Sequence, residues 1–183
     1  MPPDVHTTSN ERLDKVTGRA VFASDITVPG MAHGRILRSP LPHAKIVKMD
    51  CTAALALEGV VAILSGEDLA DFAQPYWGLY FNDRPVIAHE KVRYVGEPVA
   101  LVVAETPAVA QAALDRIDID YTPLPFIDNA GDAIAPDAPR LHGNLEAIAD
   151  FYFKGQARPV SGTNIYQRYA ISTGDTAATE AEA

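Results

Sequence analysis

Short runs of apolar residues, separated by glycine, proline and polar pairs, make up the first 125 residues of the chain. Runs that are rich in β-branched residues and bounded by turn residues predict strands. The apolar run at 60–64 is typical of a buried strand. Several runs stop at a proline, which cannot donate a backbone hydrogen bond to a neighbouring strand. The predicted strands cover residues 19–23, 32–38, 44–49, 60–64, 92–94, 99–104 and 119–122.

Two segments carry helix signals instead. The first covers residues 50–57, where Asp50 or Thr52 can act as the N-cap and Gly59 can end the helix. The second opens at Thr106, an N-cap residue followed by a proline at the first helical position. Both helices lie between predicted strands, and this repeated strand–helix–strand order favours an α+β or α/β fold. One apolar stripe is predicted on the second helix, at Ala110, Ala113, Leu114 and Ile117.

The composition narrows the class of protein. The net charge of −9 opposes binding to nucleic-acid phosphates, and no apolar run approaches the roughly 20 residues of a membrane span. The amino terminus lacks the basic and apolar regions of a signal peptide. The single Cys51 cannot form an intramolecular disulfide and fits a reducing compartment. The sequence therefore predicts a cytoplasmic protein that binds no nucleic acid and spans no membrane.

Residue spacing alone reveals no catalytic constellation. The chain has no phosphate-binding glycine loop, no nucleophilic serine motif and no pair of histidines at zinc-ligand spacing. Cys51, near the start of the first predicted helix, is interpreted as a structural residue rather than a nucleophile. Asp118 and Asp120 are interpreted as solvent-facing charges on one face of a strand. We therefore expect the chain to hold no catalytic residue and no metal ligand by itself.

Seven short motifs follow one another in an order that resembles a known family. They are RLDKVTGRA at 12–20, DITVPGMAHG at 25–34, RSPLPHAKI at 38–46, LEGV at 57–60, VGEPVA at 95–100, ETP at 105–107 and YTPLP at 121–125. Over residues 12–145 the chain resembles the molybdenum-cofactor (large) subunit of the xanthine dehydrogenase/aldehyde oxidase family. The resemblance implies an a/b hammerhead domain, which is an α+β fold with a mixed β-sheet and two main packed helices.

The domain boundaries follow from the element pattern and this resemblance together. Residues 1–14 are predicted to be a polar lead, and residues 15–128 the a/b hammerhead domain. Residues 129–183 are predicted to be an irregular linker toward a molybdopterin-binding domain that this sequence does not contain.

The resemblance also implies an activity and its cofactors. The family's enzymes hydroxylate an aldehyde or an N-heterocycle with water as the oxygen source, so the chain is expected to be a component of such a molybdenum hydroxylase. The assembled enzyme holds a molybdopterin-type molybdenum cofactor, [2Fe–2S] clusters and, in many members, FAD. This chain alone is expected to bind none of them and to be catalytically silent. Its expected partners are the molybdopterin-binding domains or subunit, an iron–sulfur subunit and, in such members, an FAD subunit.

Two groups of residues are candidates for a role in that enzyme. Aromatic residues gather at 76–81, where they suit a groove or interface as well as a cover over one end of the sheet. By resemblance, Leu79, Tyr80 and Phe81 line the substrate funnel. Two other functions stay open, namely a non-catalytic assembly module and a free-standing small-molecule binding domain. A structural or interface group is predicted at His43, Gly96, Glu97 and Pro98.

Overall fold

The computed structural model describes most of the chain and divides it into two compact units. The described residues are 12–69, 71–72, 76–78, 82–143, 159–169, 171 and 173–174. The two units are Met1–Ala32 and His33–Ala183. Funnel residues 79–81 lie outside the described residues.

The first unit is built from tight turns. Residues 12–16 are helical, and the Thr17 hydroxyl donates to the Leu13 carbonyl at 2.7 Å. The strand predicted at 19–23 is wrong, because the backbone N–H groups of Arg19 and Ala20 both donate to the Asp14 carbonyl, at 2.8 and 3.0 Å. That turn commits their backbone groups locally, and a 3₁₀ helix follows at Ala23–Asp25.

The second unit contains strands and short helices. The elements are β1 His33–Arg38, β2 Ala44–Asp50, α1 Thr52–Leu55, β3 Val60–Ser65, β4 Tyr76–Trp77, β5 Arg84–Pro85, β6 Lys91–Val92, β7 Pro98–Ala104, α2 Pro107–Leu114, β8 Asp118–Pro123 and α3 Ala130–Ala133. The strands form two three-stranded sheets, in the orders β1-β7-β3 and β6-β2-β8, and a ribbon of β4 with β5. Every strand pair within the described residues is antiparallel.

The helices connect the two sheets instead of bridging strands of one sheet. Helix α1 follows β2 of the second sheet and leads to β3 of the first, whereas α2 leads from β7 of the first to β8 of the second. Neither strand–helix–strand segment therefore places two parallel strands side by side. The elements remain those of an α+β fold, but the strands are shared between two antiparallel sheets.

Helix α2 forms one hydrophobic core with the first sheet. The Thr106 hydroxyl accepts a hydrogen bond from the Val109 N–H at 3.2 Å, and Pro107 is the first helical residue, so both start signals are confirmed. Three members of the predicted stripe are buried and Ile117 is partly buried. The core consists of Ala54, Val102, Ala104, Ala110, Ala113 and Leu114.

Strand β7 takes part in both hydrophobic cores. Val99 packs in the second core with Ala44, Ala88 and Val92, and all four are at most 1% exposed. The prediction of a buried strand at 60–64 is wrong in one respect, because β3 pairs with β7 alone and is an edge strand. Most of its side chains are only partly buried and Val61 is exposed.

Local details differ from the predicted boundaries. Helix α1 covers four residues rather than the predicted 50–57, although Asp50 Oδ1 does accept from the Thr52 N–H at 3.0 Å. The segment at 72–85, where no strand is predicted, contains the short β4–β5 ribbon. In the part of the chain that the structure describes, no helix is long and apolar enough to cross a membrane.

Gly66 permits the backbone of the turn after β3 to approach residues 88–89. A Cβ atom at Gly66 would lie 2.5 Å from the Ala88 carbonyl oxygen and 2.6 Å from the His89 Cα. We expect Gly66→Ala to lower the free energy of unfolding by roughly 1–3 kcal/mol, because backbone atoms must shift. Urea unfolding measures the change. Gly143→Ala is the control, since its Cβ would meet nothing within 4 Å; equal effects of the two substitutions would contradict the close approach.

Candidate functional site

A cavity of about 900 Å³ lies in the second unit and is the candidate functional site. One wall is the turn between β6 and β7, at residues 93–95, and another is the stretch at 125–130 that follows β8. His43, Asn164 and Tyr166 also line it. The cavity therefore gathers residues from distant parts of the sequence, among them His43 of the predicted structural group.

Glu97 is a fully buried carboxylate beneath this cavity. Its side chain accepts hydrogen bonds from the backbone N–H of Arg93 and, at 3.3 Å, from Arg93 Nη1. The Arg93 Nη1 also donates to the Lys91 carbonyl at 3.1 Å. The Arg93 side chain is 15% exposed and that of Glu97 is 1% exposed, so solvent screens this ion pair little.

Gly96 makes the turn in which Glu97 sits. Its φ of +91° lies in the left-handed region that glycine adopts without a Cβ penalty. The Gly96 N–H donates to the Ser39 carbonyl at 2.8 Å, and the Ser39 N–H donates to the Glu97 carbonyl at 2.9 Å. Arg38 Nη1 adds a 2.8 Å bond to the Gly96 carbonyl. These bonds fix the turn to the end of β1.

Pro98 begins β7, and its carbonyl accepts from the Ala88 N–H at 2.8 Å. The strands predicted at 92–94 and 99–104 are separate in the structure, because β6 ends at Val92 and belongs to the other sheet. The turn separates two strands that serve different sheets.

His43 is buried and bonded through both ring nitrogens. Its Nδ1 lies 2.6 Å from the Pro125 carbonyl oxygen, and its Nε2 lies 3.2 Å from Lys91 Nζ. A carbonyl only accepts and an ammonium only donates, so the ring carries its proton on Nδ1. Burial, and then the charge of Arg93, lower the pKa of Lys91. His43 thereby connects β2, β6 and the stretch after β8.

The pKa values of two further side chains, His142 and Cys51, are shifted by their surroundings. Burial, followed by the charge of Arg93, lowers the pKa of His142, whose Nε2 lies 3.9 Å from Asp83 Oδ2. Burial and then the charges of Asp50 and Asp68 raise the pKa of Cys51. A raised pKa favours the unreactive thiol over the thiolate, which supports the structural interpretation of Cys51.

Asn164 fixes the far wall of the cavity. Its Nδ2 donates to the carbonyls of Ala133 and Pro139 at 3.2 and 3.0 Å, and its Oδ1 accepts from the Leu141 N–H at 3.0 Å. All three partners lie more than 20 residues away in the sequence. The stretch predicted as an irregular linker thus contributes α3 and a hydrogen-bonded wall.

The structure brings the four residues of the predicted structural group to one place. His43 lines the cavity, while Gly96, Glu97 and Pro98 form the turn and strand start next to it. Sequence reasoning missed the partners of this group, although the spacing of Arg93 four residues before Glu97 was a usable signal. No local signal identified Lys91 or Asn164. The residues that sequence reasoning missed are therefore Ser39, Lys91 and Arg93, which contact this group, and Asn164, which lies in the cavity wall.

The donor set of this region does not make a metal centre. Across residues 12–143, apart from gaps at 70, 73–75 and 79–81, and in the described residues from 159 onward, no three His, Cys, Asp or Glu side chains converge to hold an ion. The described side chains of this region therefore offer no cluster of protein ligands for a metal ion.

Comparison with known proteins identifies the family. Residues 17–125 match the family model described as aldehyde oxidase and xanthine dehydrogenase, a/b hammerhead domain. This match covers more than half of the chain, so the chain belongs to that family. The family and the α+β hammerhead fold expected from the sequence are both confirmed.

Three relatives illustrate the match. A probable xanthine dehydrogenase component of Bacillus subtilis (strain 168) is 40% identical over 133 residues, which are 72% of this chain and 18% of that protein. "Nicotinate dehydrogenase large molybdopterin subunit" of Eubacterium barkeri is 37% identical over 134 residues, 73% of this chain and 31% of that protein. The solved "Reconstituted CO dehydrogenase from Oligotropha carboxidovorans" matches with a TM-score of 0.67 and 35% identity, over 70% of this chain and 16% of that one. The chain thus spans less than a third of each.

Removing one member of the buried Arg93–Glu97 ion pair is expected to destabilise the fold. Glu97→Gln leaves the Arg93 guanidinium without its carboxylate, so we expect the free energy of unfolding to fall by about 3–5 kcal/mol. Urea unfolding monitored by circular dichroism measures it. The control is Lys48→Gln, because the Lys48–Asp50 pair is exposed, at 65% and 42% of the two side chains, and an exposed pair contributes at most about 1 kcal/mol. Equal, small losses would show that the buried pair does not stabilise the fold.

Proposed function

We propose that this chain is the a/b hammerhead component of a molybdenum hydroxylase. The assembled enzyme oxidises an aldehyde or an N-heterocycle with water as the oxygen source. Family membership over residues 17–125 is the observation that carries the proposal. The names of relatives, such as the nicotinate dehydrogenase large molybdopterin subunit, support molybdopterin as the cofactor class.

The chain contributes structure rather than redox chemistry in this proposal. The molybdopterin-binding domains or subunit hold the molybdenum cofactor, which supplies the oxygen-transfer and redox chemistry when bound. A single cysteine cannot supply the thiolates of an iron–sulfur cluster, so those clusters belong to an iron–sulfur subunit. An FAD subunit completes the electron path in many such enzymes, and the cytoplasm is the proposed compartment.

Reconstitution tests this function. The chain is co-expressed with a molybdopterin-binding portion and an iron–sulfur subunit, and the complex is assayed for hydroxylation with ¹⁸O-labelled water. We expect a complex that contains molybdenum and iron and that incorporates the label, whereas omission of this chain abolishes assembly or turnover. A chain that purifies alone, free of metal, and adds nothing to the other components would contradict the proposal.

The wall of the substrate funnel is the second part of the proposal, and it rests on the family resemblance of Leu79, Tyr80 and Phe81. Large apolar and aromatic side chains at a funnel select planar substrates by contact and by size. We expect Phe81→Ala in the assembled enzyme to raise the ratio of kcat/KM for bulky over small substrates. Phe72→Ala, at an exposed phenylalanine, is the control. An unchanged ratio across a substrate panel would refute the funnel role.

Two other functions make different predictions. An assembly module without a funnel role predicts normal specificity in the Phe81→Ala enzyme but loss of assembly when the chain is omitted. A free-standing small-molecule binding domain predicts a stable monomer with a saturable ligand, and the cavity of about 900 Å³ is the observation that favours it. The reconstitution experiment separates the free-standing binding domain from the first proposal, and the Phe81→Ala specificity panel separates the assembly module from it.

A further inference from the structure

The rim of the cavity exposes large apolar side chains. Among the residues that line the cavity, Tyr94, Val95 and Phe126 are 44%, 63% and 59% exposed. They come from two separate loops, the β6–β7 turn and the stretch after β8, yet they surround one concavity. Apolar side chains gathered around a concave surface are typical of an interaction site.

The floor of the cavity is formed by Arg93, which has one side-chain donor without a partner; Lys91, two residues before it, is not among the lining residues. Arg93 Nε is buried and has no hydrogen-bond partner among the described residues. Lys91 Nζ contacts only neutral acceptors, His43 Nε2 at 3.2 Å and the Arg140 carbonyl at 3.4 Å, with no carboxylate within ion-pair distance in the described part of the chain. Buried donors are normally paired, so an unpaired one requires an explanation.

The acceptors around the cavity contact other groups. Glu97 accepts from Arg93 Nη1, Asp83 lies 3.9 Å from His142, and Asp128 accepts from the Asn129 side-chain amide at 3.2 Å. The amide oxygen of Asn164 accepts from the Leu141 N–H. None of these acceptors forms a hydrogen bond with Arg93 Nε, so an added acceptor would satisfy it.

The positive charge of Arg93 also affects the ionisation of two neighbouring residues. Arg93 is one of the causes, after burial, that lower the pKa of both Lys91 and His142. Asp83 counteracts this effect at His142, while Glu90 and Glu97 counteract it at Lys91, but neither set reverses the direction. The charge of Arg93 therefore disfavours a further cation at these two positions.

We propose that the cavity is a docking pocket for an aspartate or glutamate side chain that is flanked by apolar residues on the molybdopterin-binding portion of the enzyme. The carboxylate meets the unpaired edge of the Arg93 guanidinium, and the flanking residues cover Tyr94, Val95 and Phe126. This inference rests on the proposed function. It names a protein segment as the occupant because three large apolar side chains are exposed at the rim and the relatives are several times longer than this chain.

The test measures assembly separately from activity. The chain is co-purified with the molybdopterin-binding portion, and mass photometry at decreasing concentration gives the Kd of the complex. Val95→Ser is expected to raise the Kd several-fold because it removes rim contact. Val61→Ser is the matched control, since Val61 is similarly exposed, at 61%, but lies on β3 away from the cavity. Equal effects of the two substitutions would overturn the docking site.

A double substitution tests the carboxylate contact without leaving a buried charge unpaired. Arg93→Met with Glu97→Gln removes both members of the ion pair, while the new amide side chain at position 97 still offers an acceptor to the residue 93 N–H. Once near-ultraviolet circular dichroism shows a native fold, we expect a roughly ten- to hundred-fold higher Kd and a weaker salt dependence. An unchanged Kd in the folded double variant, or no complex at any concentration, would overturn the proposal.

Other occupants are distinguished in the same experiment. The chain alone is titrated with benzoate and with benzamide; saturable benzoate binding that the double variant loses would assign the pocket to a small organic acid and overturn docking. The sequence between His142 and Asn164 contains Glu146 and Asp150. Tighter benzoate binding by a Glu146→Gln/Asp150→Asn variant would indicate a carboxylate of this chain as the occupant, which also overturns the proposal. A complex with the expected Kd changes but no hydroxylation would uphold docking and refute the proposed activity.

Discussion

The buried carboxylate of Glu97 is the constraint on which the second unit depends. A fully buried charge is costly unless it is paired and hydrogen-bonded, and here Arg93 supplies both a guanidinium and a backbone N–H. The backbone of the same turn binds Ser39 at the end of β1. One residue thereby couples the path from β6 into β7 with the edge of the first sheet.

This turn matters because β7 belongs to the first sheet but packs in both hydrophobic cores. Val99 packs in the second core, whereas Val102 and Ala104 pack under α2 in the first. Gly96, at φ +91°, reverses the chain sharply enough for β6 and β7 to serve different sheets. The alternation of side chains along one strand then joins two small cores, neither of which is large by itself.

The sequence predicted those parts that depend on neighbouring residues. Helix α2 follows from its Thr106 cap, Pro107 and apolar stripe, all within one short window. Division into two sheets was not predictable, because the pattern specifies strands but not their partners. The cavity depends on contacts as distant as that of His43 with Pro125, 82 residues apart. The strand predicted at 19–23 is wrong although it depends only on neighbouring residues, because the N–H groups of Arg19 and Ala20 donate to the Asp14 carbonyl.

The chemistry of the cavity agrees with a recognition role better than with a catalytic one. His43 uses both ring nitrogens to hold the wall, so it is not available to transfer a proton, and Cys51, whose pKa is raised, is not among the residues that line the cavity. The polar groups on the floor are instead rigidly positioned donors. The floor has an unpaired donor, and the rim exposes apolar side chains. A partner that supplies an acceptor and also covers the rim would therefore gain the most binding free energy. Specificity for the correct partner then follows from the same pairing, because a segment without the acceptor would leave Arg93 Nε buried and unsatisfied.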